Sequence, residues 1–244
     1  MTPKQIRDAA SEAVKLLTKS PFIWLAAIVI FLILSEITMF IPYVGFIVKL
    51  LVSILLAAGI IDMLSHASMG AKPPIKRIFS AFTLPIGAKI TLFASVAIPF
   101  AVGIAYLYAQ AGQSGIAYFF GNILRDKPPS KELFTAFKTI MYLTATPIIF
   151  VGAAVVLQRL SGLEAFKVAI GAAVRHWQAA LTLLVMNIAF EQILAITVQA
   201  LSAATTIVLT VFLLILYAAW SAAFSYTLAV RALTLVSETP EAAT

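Results

Sequence analysis

Few residues in this chain are able to do chemistry, and the most telling lie inside its apolar stretches. Three carboxylates sit there: Glu36, Asp62 and Glu191. An ionisable side chain at membrane depth is costly to keep, so each is a candidate ligand- or ion-binding group. Glu191 is the deepest. At helical rise it lies about 21 Å from the start of its stretch and about 12 Å from its end. Asn187 precedes it by one helical turn on the same face, and Gln192 follows it. Desolvation favours the neutral acid at such a place, which suits a proton or cation site. The same group can instead hydrogen-bond a neighbouring helix. Glu36 and Lys49 lie at similar counts from the turn between their stretches, so an ion pair across that hairpin is expected. Asp62 lies near the other end of its stretch. Glu36 and Asp62 can both reach the head-group region, where a structural role is expected.

A second group of candidates is cationic. Residues 72–82 read KPPIKRIFSAF and residues 127–137 read KPPSKELFTAF, identical at seven of eleven positions. Prolines start a helix, lysines meet lipid phosphate, and the phenylalanines sink to the acyl boundary. Lys72, Lys76, Arg77, Lys127 and Lys131 are therefore the candidate head-group contacts, on an elbow that positions the stretch after it.

Several chemistries have no residues to support them. The sequence has no cysteine, which excludes disulfides, thiolate catalysis and cysteine-ligated metals. Its two histidines, His66 and His176, are far apart and are expected at the head-group interface. No Walker loop, dinucleotide fingerprint, HExxH or GxSxG occurs, so no cofactor, resident metal or catalytic residue is implied. An aspartyl dyad fails because Asp62 is the sole aspartate in a stretch.

These residues need elements to hold them, and the composition says which. Hydrophobic residues make up 62% of the 244 residues and charged ones only 11%. That is too little polar surface to face water, and lipid is the matching solvent. The net charge is +7, with cations bordering the apolar stretches. Membrane lipids are the expected partners, other membrane subunits are possible ones, and nucleic acid is not expected.

The expected fold is an all-α polytopic membrane bundle of about six transmembrane helices with interfacial amphipathic helices, forming a single integral membrane domain over 1–244. Thr2, Pro3 and Gln5 form a helix start with a capping box, and Ile6, Ala10, Ala13, Val14 and Leu17 make an apolar stripe. Residues 1–20 are thus read as a helix lying on the membrane surface. Spans are expected at 21–41, 44–64, 86–109, 137–158, 177–199 and 203–230. Pro99 and Pro147 should bend theirs. Residues 110–136 should lie in the interface or partly re-enter. Leu163, Phe166, Ile170 and Val174 repeat at helical spacing and mark a second interfacial helix. Ala218 and Ala222 form a small-xxx-small pair that favours close packing.

A looser echo joins the two ends. Phe22 to Glu36 and Trp177 to Glu191 share one spacing, which suggests related hairpins around a central pair of spans. Were the two Lys-Pro-Pro elbows on opposite sides, that pair would be inverted, as in many transporters.

Lysine and arginine alternate between connections and place both termini in the cytoplasm of a cell inner (plasma) membrane protein. One connection disagrees: Arg125, Lys127, Lys131 and Lys138 fall on the outer side.

The Pro21-Phe22-Ile23-Trp24 lead, the Ile41-Pro42-Tyr43-Val44-Gly45 turn, Gly59, the Lys-Pro-Pro elbow, Thr146-Pro147 and the Ser161–Lys167 segment occur in this order. In this the chain resembles a group of uncharacterised six-span bacterial inner-membrane proteins, distantly similar to the membrane domain of some glycerophosphodiester phosphodiesterases. The resemblance implies location and architecture and carries over no catalytic residue. The function expected is that of a non-enzymatic membrane component, an accessory or scaffold binding membrane proteins or lipids. The alternatives are a small transporter or channel using Glu191, and a lipid-modifying enzyme.

Overall fold

The computed structural model describes residues 1–120, 129–200 and 203–237. Among them every regular element is helical. α1 (Pro3–Thr18) opens on the capping box read from the sequence: Gln5 N–H donates to Thr2 Oγ1, and Thr2 N–H donates to Gln5 Oε1. α2 (Pro21–Ile37) tightens into a 3-10 turn through Phe40, and α3 (Gly45–Ser68) returns. Tyr43 makes the reversal between them, with φ at 64°. A 3-10 helix, Ile75–Thr83, leads into α4 (Ile86–Phe120). α5 (Lys131–Ala145) passes through a 3-10 turn into α6 (Val151–Leu157), and the two are inclined by 41°. Pro147 sits in that bend, where it was expected. α7 (Gly162–Arg175), α8 (Trp177–Ala200) and α9 (Ala203–Ser237) complete the chain.

Among the described residues, five helices are long and apolar enough to cross a membrane, or six if the bent pair α5 and α6 counts as one span. The protein is an all-α multi-pass bundle. Its contacts define two ends. At the one called proximal here, Thr227 of α9 donates to the Ala9 carbonyl of α1, and Arg231 reaches Gln5 and Glu12. The Met1 amino group meets His176 Nδ1 at 3.0 Å at the same end. The α2–α3 turn and the start of α5 lie at the other, distal end.

α4 holds the main surprise. Its chain does not stop at Pro99, which stays inside the helix. It reverses at Gly112, whose φ of 60° and ψ of −146° suit glycine alone. Phe119 consequently returns to 5.8 Å from the ring of Phe100; a straight helix would hold them about 28 Å apart. Residues 113–120 thus fold back along their own helix; part of the 110–136 segment, expected to lie in the interface or to re-enter, lies outside the described residues. Phe46, Phe100, Phe119, Phe134 and Phe137 form a distal aromatic core around this reversal.

The two amphipathic helices, α1 and α7, are seated by alanine. α7 buries Ala165, Ala169, Ala172 and Ala173, while Leu163, Ile170 and Val174 point outwards. The large apolar stripe read from the sequence is therefore exposed except at Phe166, which packs on the core, and the small residues allow close approach to the bundle. α1 likewise buries Ala9, Ala13 and Leu16 and leaves Val14 exposed. Its apolar face docks mainly on α9 rather than only on a bilayer surface.

The two Lys-Pro-Pro elbows have diverged. The first is the 3-10 helix ahead of α4 at the proximal side. In the second, Ser130 caps α5 at the distal side, accepting from Leu133 N–H, and the segment is α-helical. Ile75, at the matching position of the first, has no capping oxygen. Lys127 lies outside the described residues.

Candidate functional site

Of the expected site residues, Glu191 on α8 is the one that meets two polar side chains of α5. Its Oε2 accepts from Lys138 Nζ of α5 at 2.6 Å, and its Oε1 accepts from Tyr142 Oη, one turn further along α5, at 3.2 Å. Lys138 Nζ also lies 5.1 Å from the ring centre of Phe134, a cation–π contact. The two charged side chains are 35% and 34% exposed, so the pair is neither sealed in the core nor on a free surface. Lys138 had counted as a cation of the discordant outer connection. It is instead neutralised within a crossing helix, and Glu132 stands beside Lys131 at the start of that helix.

The pair lies in a groove between α5 and α8 of about 890 Å³ that opens on the outside of the bundle. Such a volume is within the usual range of ligand clefts. Phe134, Ile140, Ile188 and Ile196 supply apolar wall. Thr135 and Thr139 also line it, but their hydroxyls donate to the carbonyls of Lys131 and Thr135 within the helix. They offer a ligand little, since a threonine hydroxyl that back-bonds to its own helix is already satisfied. Charge in the middle of the groove therefore comes from Lys138 and Glu191.

The other expected residues are placed apart. Asn187 turns towards α9, where its Oδ1 accepts from Tyr217 Oη at 2.7 Å, and its Nδ2 donates to the Leu183 carbonyl. Phe190 stacks on the same tyrosine with ring centres 3.6 Å apart. Asn187 thus fastens the α8–α9 hairpin and does not enter the groove. Glu36 pairs with Lys49 at 2.6 Å across the first hairpin, as its spacing required. Asp62 accepts from Arg77 at 2.7 Å. Glu36 is distal while Asp62 and His66 are proximal, so these three do not gather around one groove. Lys72 lines a proximal pocket of about 450 Å³ with Lys19 and Trp24, and Lys76 is exposed beside the Asp62–Arg77 pair.

His176 is buried at the α7–α8 junction. Burial first, then the positive charges of the Met1 amino group and Arg175, hold its pKa below the usual histidine value. Its Nε2 has no hydrogen-bond partner among the described residues.

Three residues of interest escaped the sequence reading: Lys138, Tyr142 and Tyr217. The signal for Lys138 was present as the excess of outer cations, since a lysine that violates the sidedness rule wants a carboxylate. Ala218 and Ala222 pack against the buried core. They line an apolar cavity of about 260 Å³ between α2, α3, α6 and α9. Among the described residues no three histidine, aspartate or glutamate side chains come together as a metal site. No protein-family model matches the chain, and neither a curated protein nor a solved structure matches it.

Proposed function

We propose that this protein is a non-enzymatic component of the cell inner membrane that binds an amphiphile of lipid type in the α5–α8 groove, with both termini in the cytoplasm. The observation that carries the reading is the Lys138–Glu191 pair, held inside an outward-opening groove with apolar walls. A zwitterionic or hydrogen-bonding head group has both signs of charge to meet there, and its chains have the apolar walls and the bilayer beside them. Purification of the full chain in mild detergent, with mass-spectrometric identification of what is retained, tests this. Wild type should retain one lipid class above the bulk extract, and Ile188→Trp, which fills the groove, should lose it. Identical retention by both proteins would rule the groove out.

A second reading, transport, draws on the same openness, because Glu191 can be reached from outside the bundle. In proteoliposomes, Glu191→Gln should then abolish a cation or proton flux that wild type sustains. Equal flux in both removes Glu191 from any transport mechanism.

A further inference from the structure

A separate pocket, independent of the groove just described, lies at the proximal side. It is about 240 Å³ in volume and is bounded by α3, the 3-10 helix Ile75–Thr83 and the end of α6. Asp62, Arg77, Ser80 and Arg159 supply its polar wall. Arg77 spends one guanidinium nitrogen on Asp62, at 2.7 Å, and the Asp62 side chain is only 13% exposed. That contact fixes the position of Arg77. Its other guanidinium nitrogens have no acceptor among the described residues, and neither has Arg159. The elbow cannot drift, because Gly59 of α3 packs directly on the Ile78 carbonyl with no room for a Cβ.

Arg159 has a second peculiarity. It follows the C-cap of α6 with φ at 58°, the left-handed conformation that glycine normally supplies at this place. An arginine held there is strained, and strain in a non-glycine residue points to a role for its side chain. Two arginines and one aspartate leave the pocket with a net charge of +1. Guanidinium groups present paired donors that match phosphate oxygens. The exposed rings of Phe79 and Phe82 lie on the same elbow.

We propose that this pocket binds a phosphodiester, the singly charged phosphate of an anionic lipid head group, between Arg77 and Arg159 with the Ser80 hydroxyl as a further donor. Asp62 positions Arg77 and trims the charge to match a monoanion. The site belongs to the first elbow alone, since Glu132 stands where Arg77 would be in the second.

The test uses the full chain in detergent, with phosphatidylglycerol, diacylglycerol of the same chains, and dimethyl phosphate as probes. Native mass spectrometry should show phosphatidylglycerol bound more tightly than diacylglycerol. Arg159→Gly should lower that affinity roughly tenfold or more, as expected for losing charge-assisted bonds. The same variant should raise the thermal midpoint without ligand, because glycine fits the backbone; Arg159→Gln should lose the ligand without that gain. Lys167→Gln, which removes an exposed charge elsewhere, should bind as wild type. If dimethyl phosphate raises the wild-type midpoint but not that of Arg159→Gly, while the lipid fails to discriminate them, the phosphate site stands and its source is soluble. If no probe distinguishes wild type from both Arg159 variants, the proposal falls.

Discussion

Lys138 and Glu191 illustrate how a charged pair can be costly to break and cheap to delete. Removing one partner strands the other at membrane depth, whereas replacing both with apolar groups removes the desolvation penalty as well. Glu191→Leu and Lys138→Met should each lower stability, and the double variant should recover most of the loss. A double-mutant cycle on unfolding should yield a coupling of about 2 kcal/mol. His176 makes a second test at this scale. Its pKa is lowered in the folded protein, so the unfolded chain binds a proton that the folded one refuses. The stability due to neutral His176 is therefore present above about pH 6.5 and is lost as pH falls below it. The thermal midpoint should drop on acidification, and His176→Phe should flatten that drop. What the sequence disclosed here followed connectivity. Glu36–Lys49 could be counted out from one turn, because a hairpin sets the depth of both residues. The partners of Glu191 lie up to 53 positions away on a helix that is not its hairpin mate, and only packing brings them together.

Two glycines show that helices are limited by different physics. Gly59 has ordinary helical geometry but touches the Ile78 backbone, so Gly59→Ala is a steric fault and should cost about 3 kcal/mol. Gly112 has open space around it, and its demand is purely conformational. Gly112→Ala should cost about 1–3 kcal/mol and loosen the return of Phe119 onto Phe100. Both values can be read from denaturant unfolding in micelles. The spans, the capping box of α1 and the bend at Pro147 were legible because each rests on local composition. The reversal at Gly112 was not, since an apolar run reads alike whether it continues or doubles back. Nor was the different fate of the two elbows: one residue, Ser130 against Ile75, decides whether the same motif can cap an α-helix. The two glutamates of the outer hairpins differ in partner, for Glu36 finds its lysine within the hairpin and Glu191 finds one outside.

The complete molecule has a sidedness that labelling can check, and its lack of cysteine makes the experiment clean. Tyr43→Cys and Ser114→Cys should react from one side of the membrane, and Lys76→Cys and Lys167→Cys from the other. Reaction of all four from one side would refute six crossings. The joining of α1 to α9 has its own consequence, which concerns time. Thr227 and Ala9 are 218 residues apart, so α1 leaves the ribosome long before its seat exists. Throughout that interval α1 has α2 and α3 beside it but not its main seat, and a bilayer surface is a habitat its amphipathic pattern suits. The folded protein holds the helix docked on α9. Docking on α9 makes it a latch that cannot close until α9 has been synthesised.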